Sequence, residues 1–192
     1  MCKGLSEVLA SARALVAALD VSGLTASEAA ASFKSFAELE NLASAGKLLV
    51  APKVGESGEW AREGHRSAVE WMAQTSGTSV GAAKAVAETA RRVEQLPATA
   101  DALRSGGLSV AQVAAVAEAA VAAPDREAEL LELAENETVR TLQDKSRRVV
   151  LDSRGSVEER YVRQRKLRWF SAWTDDEGMT AGRFRFAPDA GA

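Results

Sequence analysis

Leu5, Val8, Leu9, Ala12, Leu15, Val16 and Leu19 follow one another at spacings of three and four, which predicts an amphipathic helix over 5–19 that the Asp20-Val-Ser-Gly23 segment ends. A second helix is predicted from Thr25, where Thr25-Ala-Ser-Glu28 reads as a capping box. It should run through Phe33, Phe36, Leu39 and Leu42 to about Val50, with Pro52 as its stop and 51–59 as a loop. Helices are then expected over 65–75, with Val69, Met72 and Ala73 on one side, from a Thr78 or Ser79 cap to about Gln95, and from Pro97 to Arg104. Ser105-Gly-Gly107 breaks the pattern. Ser109 to Gln112 forms a second capping box, opening a helix that Pro124 closes. Two more helices fit 125–135 and 138–152, and Ser156 to Glu159 caps a last short one.

At Lys166 the period shifts from helical spacing to alternation: Leu167/Trp169 and Phe184/Phe186 each recur at period two around a TDDEG turn, the mark of a β-hairpin. The predicted architecture is therefore mainly α, a multi-helix bundle with a small C-terminal β-hairpin. Residues 1–165 form the helical domain (an N-terminal helical pair over 1–50, a loop over 51–59, helices over 60–165), and 166–192 the hairpin. A lone hairpin is marginal in water, so it is expected to pack on the helices or lead into a further domain. The closing Pro188-Asp-Ala-Gly-Ala192 reads as a cut rather than a finish. The 192 residues suffice for one ordinary domain, and 46% apolar content with only 5% aromatics suits close-packed helices.

Charge changes this picture. The net −3 divides unevenly: 140–192 hold 12 Lys/Arg against 8 Asp/Glu, leaving 12 against 19 for 1–139. Between Arg140 and Trp173, ten basic residues face four acids, so a polyanion would favour this part of the chain. Glu7, Arg13 and Asp20 interrupt the first apolar stretch, which excludes a signal-peptide core or a membrane span there and points to the cytoplasm. Cys2 is the only cysteine, so an internal disulfide and a cysteine-built zinc site are excluded.

Catalytic chemistry has little to work with. His65 is the only histidine and reads as a helix-start residue in contact with solvent; one imidazole cannot supply an imidazole pair. The acidic runs Glu158-Glu159 and Asp175-Asp176-Glu177 fit a helix start and a hairpin turn better than a cation site, and no glycine-rich phosphate loop is present. No metal ligand and no catalytic residue is therefore expected in this chain. Two segments are compatible with nucleic acid. Met72-Ala73, Gly77, Ala83 and Val86 have the small-residue and turn-glycine spacing of a helix-turn-helix that would direct Ser79, Lys84, Glu88 and Arg91 outward, although a helical hairpin without DNA contact fits the same residues. Trp169 and Trp173 beside Arg163, Arg165, Lys166 and Arg168 make a basic stretch interleaved with aromatics that could hold phosphates and stack on bases; aromatics packed in a core or interface are the competing account. The candidate nucleic-acid-binding residues are Arg147, Arg148, Arg160, Arg163, Arg165, Lys166, Arg168, Lys84 and Arg91.

One segment carries a family likeness: Trp71-Met-Ala, then Leu96-Pro-Ala-Thr-Ala-Asp-Ala-Leu103-Arg-Ser-Gly106-Gly-Leu-Ser109-Val-Ala-Gln-Val113. It resembles the hallmark stretch of the actinobacterial 13E12-repeat family, also catalogued as domain of unknown function 222. The Arg168-to-Met179 hairpin and the closing Phe186-Ala-Pro-Asp-Ala-Gly resemble that family's next block, so the likeness spans about 60–192. The resemblance implies a helical region preceding a C-terminal HNH nuclease domain that cleaves nucleic acid with a divalent cation, and this chain stops before any such motif. No catalytic residue of the family maps onto it. The expectation is a non-catalytic helical DNA-binding or targeting module of an HNH-type endonuclease, with no cofactor of its own. The alternative is a helical scaffold that binds a protein partner or itself without nucleic acid; a membrane partner is not expected.

Overall fold

The computed structural model describes residues 2–187, which form ten α-helices, one short 3-10 turn and a two-stranded antiparallel sheet. The chain is a mainly α bundle with a C-terminal hairpin. Helix α1 spans Cys2–Ala17 and, among the described residues, packs against no other element. Helix α2, Ala26–Ser57, opens on the expected capping box: the Thr25 hydroxyl and N–H both donate to the Glu28 carboxylate, at 2.7 and 2.9 Å, while the Glu28 N–H donates back to Thr25 Oγ1. The Thr25 hydroxyl and N–H hold the Glu28 carboxyl below its ordinary range, so this cap is fully closed above that range and is released only as the pH falls through the lowered value beneath it.

Pro52 was the expected stop, and the structure corrects this. Helix α2 runs straight through it to a left-handed Gly58, so 51–57 are helix and not loop. Pro52 cannot donate to the Leu48 carbonyl, a local cost of about 3 kcal/mol. Leu48 and Ala51, the residues beside that missing bond, are buried in the core, and their packing overrides the local break.

Helix α3 is a single turn, Glu59–Arg62, and α4 covers Ala68–Ser76 behind a Ser67 cap. His65 therefore precedes the helix rather than starting it, half-buried, with its N–H donated to the Trp60 carbonyl. Gly77, with φ +64°, turns the chain into α5, Val80–Val93, capped by Ser79. Helix α6, Pro97–Arg104, carries its proline at the first position. Helix α7, Val110–Ala122, opens on the Ser109/Gln112 capping box; a 3-10 turn at Pro124–Arg126 leads to α8, Glu127–Asn136. Helices α9, Val139–Asp152, and α10, Val157–Lys166, follow, then strands β1, Trp169–Thr174, and β2, Thr180–Arg185.

Helix α7 is the central element. Val113, Val116, Ala117, Ala119 and Ala120 on it are fully buried, and α2, α5, α6, α8 and α9 pack around it. Its alanines leave room for close approach on several sides, and leucines from the neighbours (Leu48, Leu103, Leu108, Leu130, Leu142) fill the remaining space. Gly106 shows how tight this is: it is buried with φ +74°, and a Cβ there would lie 2.7 Å from the Leu42 side chain.

Polar groups close the helix ends inside the bundle. The Thr99 N–H and hydroxyl both donate to Glu127 Oε1, at 2.8 and 2.7 Å, so a residue on α8 caps the start of α6; Gln112 Nε2 donates to the Ala134 carbonyl at 2.6 Å. Because Thr99 is fully buried, Glu127→Ala leaves two donors without an acceptor. A loss of about 1–3 kcal/mol is expected in urea unfolding, with an unchanged m-value. Among the described residues, helix α10 and the hairpin pack against no other element by backbone proximity, although a hairpin seated on the bundle was one expectation.

Candidate nucleic-acid interface

Helix α9 sorts its residues by helical period. Leu142, Ser146 and Val149 turn inward and are buried against α7, which leaves Arg140, Asp144, Arg147 and Arg148 on the outer side. Arg140, Asp144, Lys145 and Arg148 rim a shallow depression of about 280 Å³. Arg147 lies 3.4 Å from Asp144 and Lys145 lies 3.6 Å from Glu137, both pairs in contact with water. Exposed pairs of this kind are held weakly, so a phosphate oxygen can replace the carboxylate at small cost.

Helix α10 begins on the third capping box, with the Ser156 N–H donating to Glu159 Oε2 at 3.0 Å. Acids stand at its first turn and Arg163, Arg165 and Lys166 at its last, the order the helix dipole favours. Two of the candidate arginines serve to hold it. Arg160 pairs with Asp152 at 3.1 Å, with its side chain only 27% exposed, and Arg163 Nη2 donates to the Arg154 carbonyl at 2.7 Å; the first link runs back to the end of α9 and the second to the turn after it. The Arg165 guanidinium lies 5.8 Å from the centre of the Tyr161 ring. Arg168 Nε donates to the Arg165 carbonyl, and Arg148, Lys166 and Arg168 remain exposed.

Lys84 and Arg91 stand on the outer side of α5, where Lys84 lies 3.9 Å from Glu88. The spacing that suggested a helix-turn-helix is realised as a tight α4–α5 crossing, with Ala73 and Ala83 buried at it. Helices α5 and α9 then flank one groove above α7, about 290 Å³, lined by Glu88 and Arg92 from α5, Glu118 from α7, and Gln143 and Arg147 from α9. Its charges balance, unlike those beyond it. The nine candidate residues thus fall into two groups by element, Lys84, Arg91, Arg147 and Arg148 on α5 and α9, of which only Arg147 lines this groove, and the other five on α10 and the residues after it.

Sequence reasoning missed Arg183 and Arg185. The pairing register sets Trp169 opposite Arg185 and Ser171 opposite Arg183, so both arginines share the Trp169/Trp173 face of the sheet. The Arg-Phe-Arg-Phe alternation over 183–186 carried that signal once a register could be fixed. Trp169 and Trp173 are exposed rather than packed in a core, whereas Trp60 and Trp71 are half-buried, Trp71 donating to Glu63 at 2.7 Å. The acidic runs serve backbone geometry: Glu159 completes a cap, and Asp175 Oδ1 accepts from the Glu177 and Met179 N–H groups in the hairpin turn. No group of three or more His, Cys, Asp or Glu side chains that could hold a metal ion occurs among the described residues.

The family model described as Domain of unknown function (DUF222) matches residues 28–192. The chain belongs to this family. Within the DUF222 match fall α2 from its third residue onward, the whole α7-centred bundle, both groups of cations and the hairpin; α1 lies outside it. The last residues of the match, 188–192, including the closing Pro-Asp-Ala-Gly of the resemblance, lie outside the described residues. No curated protein and no solved structure matches the DUF222 chain. Among the described residues, no helix of the DUF222 protein is long and apolar enough to cross a membrane.

Proposed function

We propose that this DUF222 domain is a non-catalytic module that holds DNA for an HNH-type nuclease of the 13E12-repeat kind, the divalent cation and the cleavage chemistry belonging to the nuclease domain and not to residues of this chain. The observation that carries the reading is the run of exposed cations from α9 through α10 to the hairpin (Arg147, Arg148, Arg165, Lys166, Arg168, Arg183 and Arg185) on a chain whose first 139 residues are acidic. Phosphate is the ligand such a run selects, through charge and counterion release rather than through base identity. The acidic first 139 residues repel a polyanion and so favour contact with the basic run. Anisotropy of a labelled 20-base-pair duplex tests this: binding at micromolar protein or tighter in 50 mM salt supports the reading, and the absence of binding there defeats it.

A second reading rests on α1. Leu5, Val8, Leu15 and Val16 are each more than half exposed along one side of a helix that packs on no other element among the described residues, and an isolated 16-residue helix is marginal in water. We infer a helical scaffold use for this segment, in which α1 meets α1 or the exposed start of α2 of a second copy. Light scattering behind size exclusion should then report a dimer that Leu5→Ser, Leu9→Ser, Val16→Ser returns to monomer; a strict monomer at all concentrations contradicts it.

A further inference from the structure

The two sides of the hairpin differ in chemistry. Phe170 and Phe184 pair across one face, where Phe186 stacks on Phe184 with ring centres 5.2 Å apart and a Cβ at Gly182 would meet the Phe170 ring at 3.6 Å. The opposite face carries Trp169, Trp173, Arg183 and Arg185, with the Arg183 guanidinium 5.8 Å from the centre of the Trp173 ring. Trp169 and Trp173 are 47% and 44% exposed, and among the described residues no helix packs on their strand. Four residues along a strand put the two indoles about 13 Å apart, so each is a separate platform.

Two flat indoles set among arginines match a ligand with flat rings strung on a polyanion. In a duplex the rings are stacked on one another and offer a protein only their edges, so indole faces can reach bases only where the strands have parted. We propose that the Trp169/Trp173 face binds the unpaired bases of single-stranded DNA, with Arg183 and Arg185 on its phosphates. The domain then holds opened or frayed DNA beside the duplex gripped by α9 and α10. This rests on the DNA-binding reading above and adds to it a strand state.

The test uses the whole 192-residue chain and two fluorescein-labelled probes, a 20-nucleotide oligo(dT) and a 20-base-pair duplex, at 50 mM salt. Trp169→Ala/Trp173→Ala should weaken oligo(dT) binding by at least about 10-fold and duplex binding by less than about 2-fold. Trp169→Phe/Trp173→Phe, which keeps flat rings and strand preference, should restore oligo(dT) binding to within about 3-fold of the parent. This rescue separates lost stacking from a lost hairpin. Equal losses on both probes, no loss on oligo(dT), or no rescue by phenylalanine overturns the proposal while leaving duplex binding by the cations standing. Failure of the parent chain to bind either probe removes the DNA reading itself. Binding to 3:1 phosphatidylcholine/phosphatidylserine vesicles with a blue shift of the hairpin tryptophans, and none to oligo(dT), assigns the face to a lipid surface and overturns the proposal as well.

Discussion

Exchanging Arg147, Arg148, Arg165 and Lys166 together for glutamine is expected to lower duplex affinity by about two orders of magnitude at 50 mM salt and to flatten the dependence of log K on log salt by about three to four units. Each of these side chains is exposed, and Arg147 gives up only a water-screened contact with Asp144 when it turns to a phosphate. Since none packs in the core, thermal unfolding of the variant should stay within about 0.5 kcal/mol of the parent, which separates lost binding from lost folding. Arg160 is left out of the set on purpose. Its pairing with Asp152 fixes α10 to the end of α9, so Arg160→Gln should act through the placement of α10 and lower affinity without removing a full unit of salt dependence. An unchanged salt slope in the fourfold variant would show that other cations make the contacts.

Leu142→Ala is expected to lower stability strongly. Leu142 is fully buried on the inner side of α9, in the middle of the seam against α7, and its truncation opens a cavity that surrounding alanines are too small to fill by rotation. The cost should lie at about 2–5 kcal/mol, which for a chain of this size lowers Tm by on the order of 10 °C. The same change loosens the helix that displays Arg147 and Arg148. Duplex affinity should therefore fall in parallel with amide protection along α9, whereas Leu48→Ala, on α2, should cost similar stability and leave that protection pattern higher at the folded baseline.

Much of the fold could be read from short-range chemistry. The three capping boxes, at Thr25/Glu28, Ser109/Gln112 and Ser156/Glu159, are closed by atoms three residues apart, and each starts a helix where the sequence placed it. Pro97 likewise sits at a first-turn position where its missing N–H costs nothing. Pro52 misled because its environment is set by residues far away in sequence: only the packing of Leu48 and Ala51 against the core makes a helix through proline tolerable. The hairpin was legible as a hairpin, from alternation around a turn, but its pairing register was not. Without the register, Arg183 and Arg185 could not be put on the tryptophan face. The candidate arginines show a similar limit. Composition identifies a basic run, yet it cannot separate Arg160 and Arg163, whose partners lie on the preceding turn and helix, from Arg148 and Lys166, which stay on the surface.

Where DNA touches the chain is the claim on which the remaining inferences depend, and amide hydrogen exchange read by mass spectrometry, with and without saturating duplex, measures it directly. Protection should concentrate in 140–168 and spare 2–17. Protection confined to α1 and the first half of α2, or an exchange pattern that duplex leaves unchanged, would contradict the account.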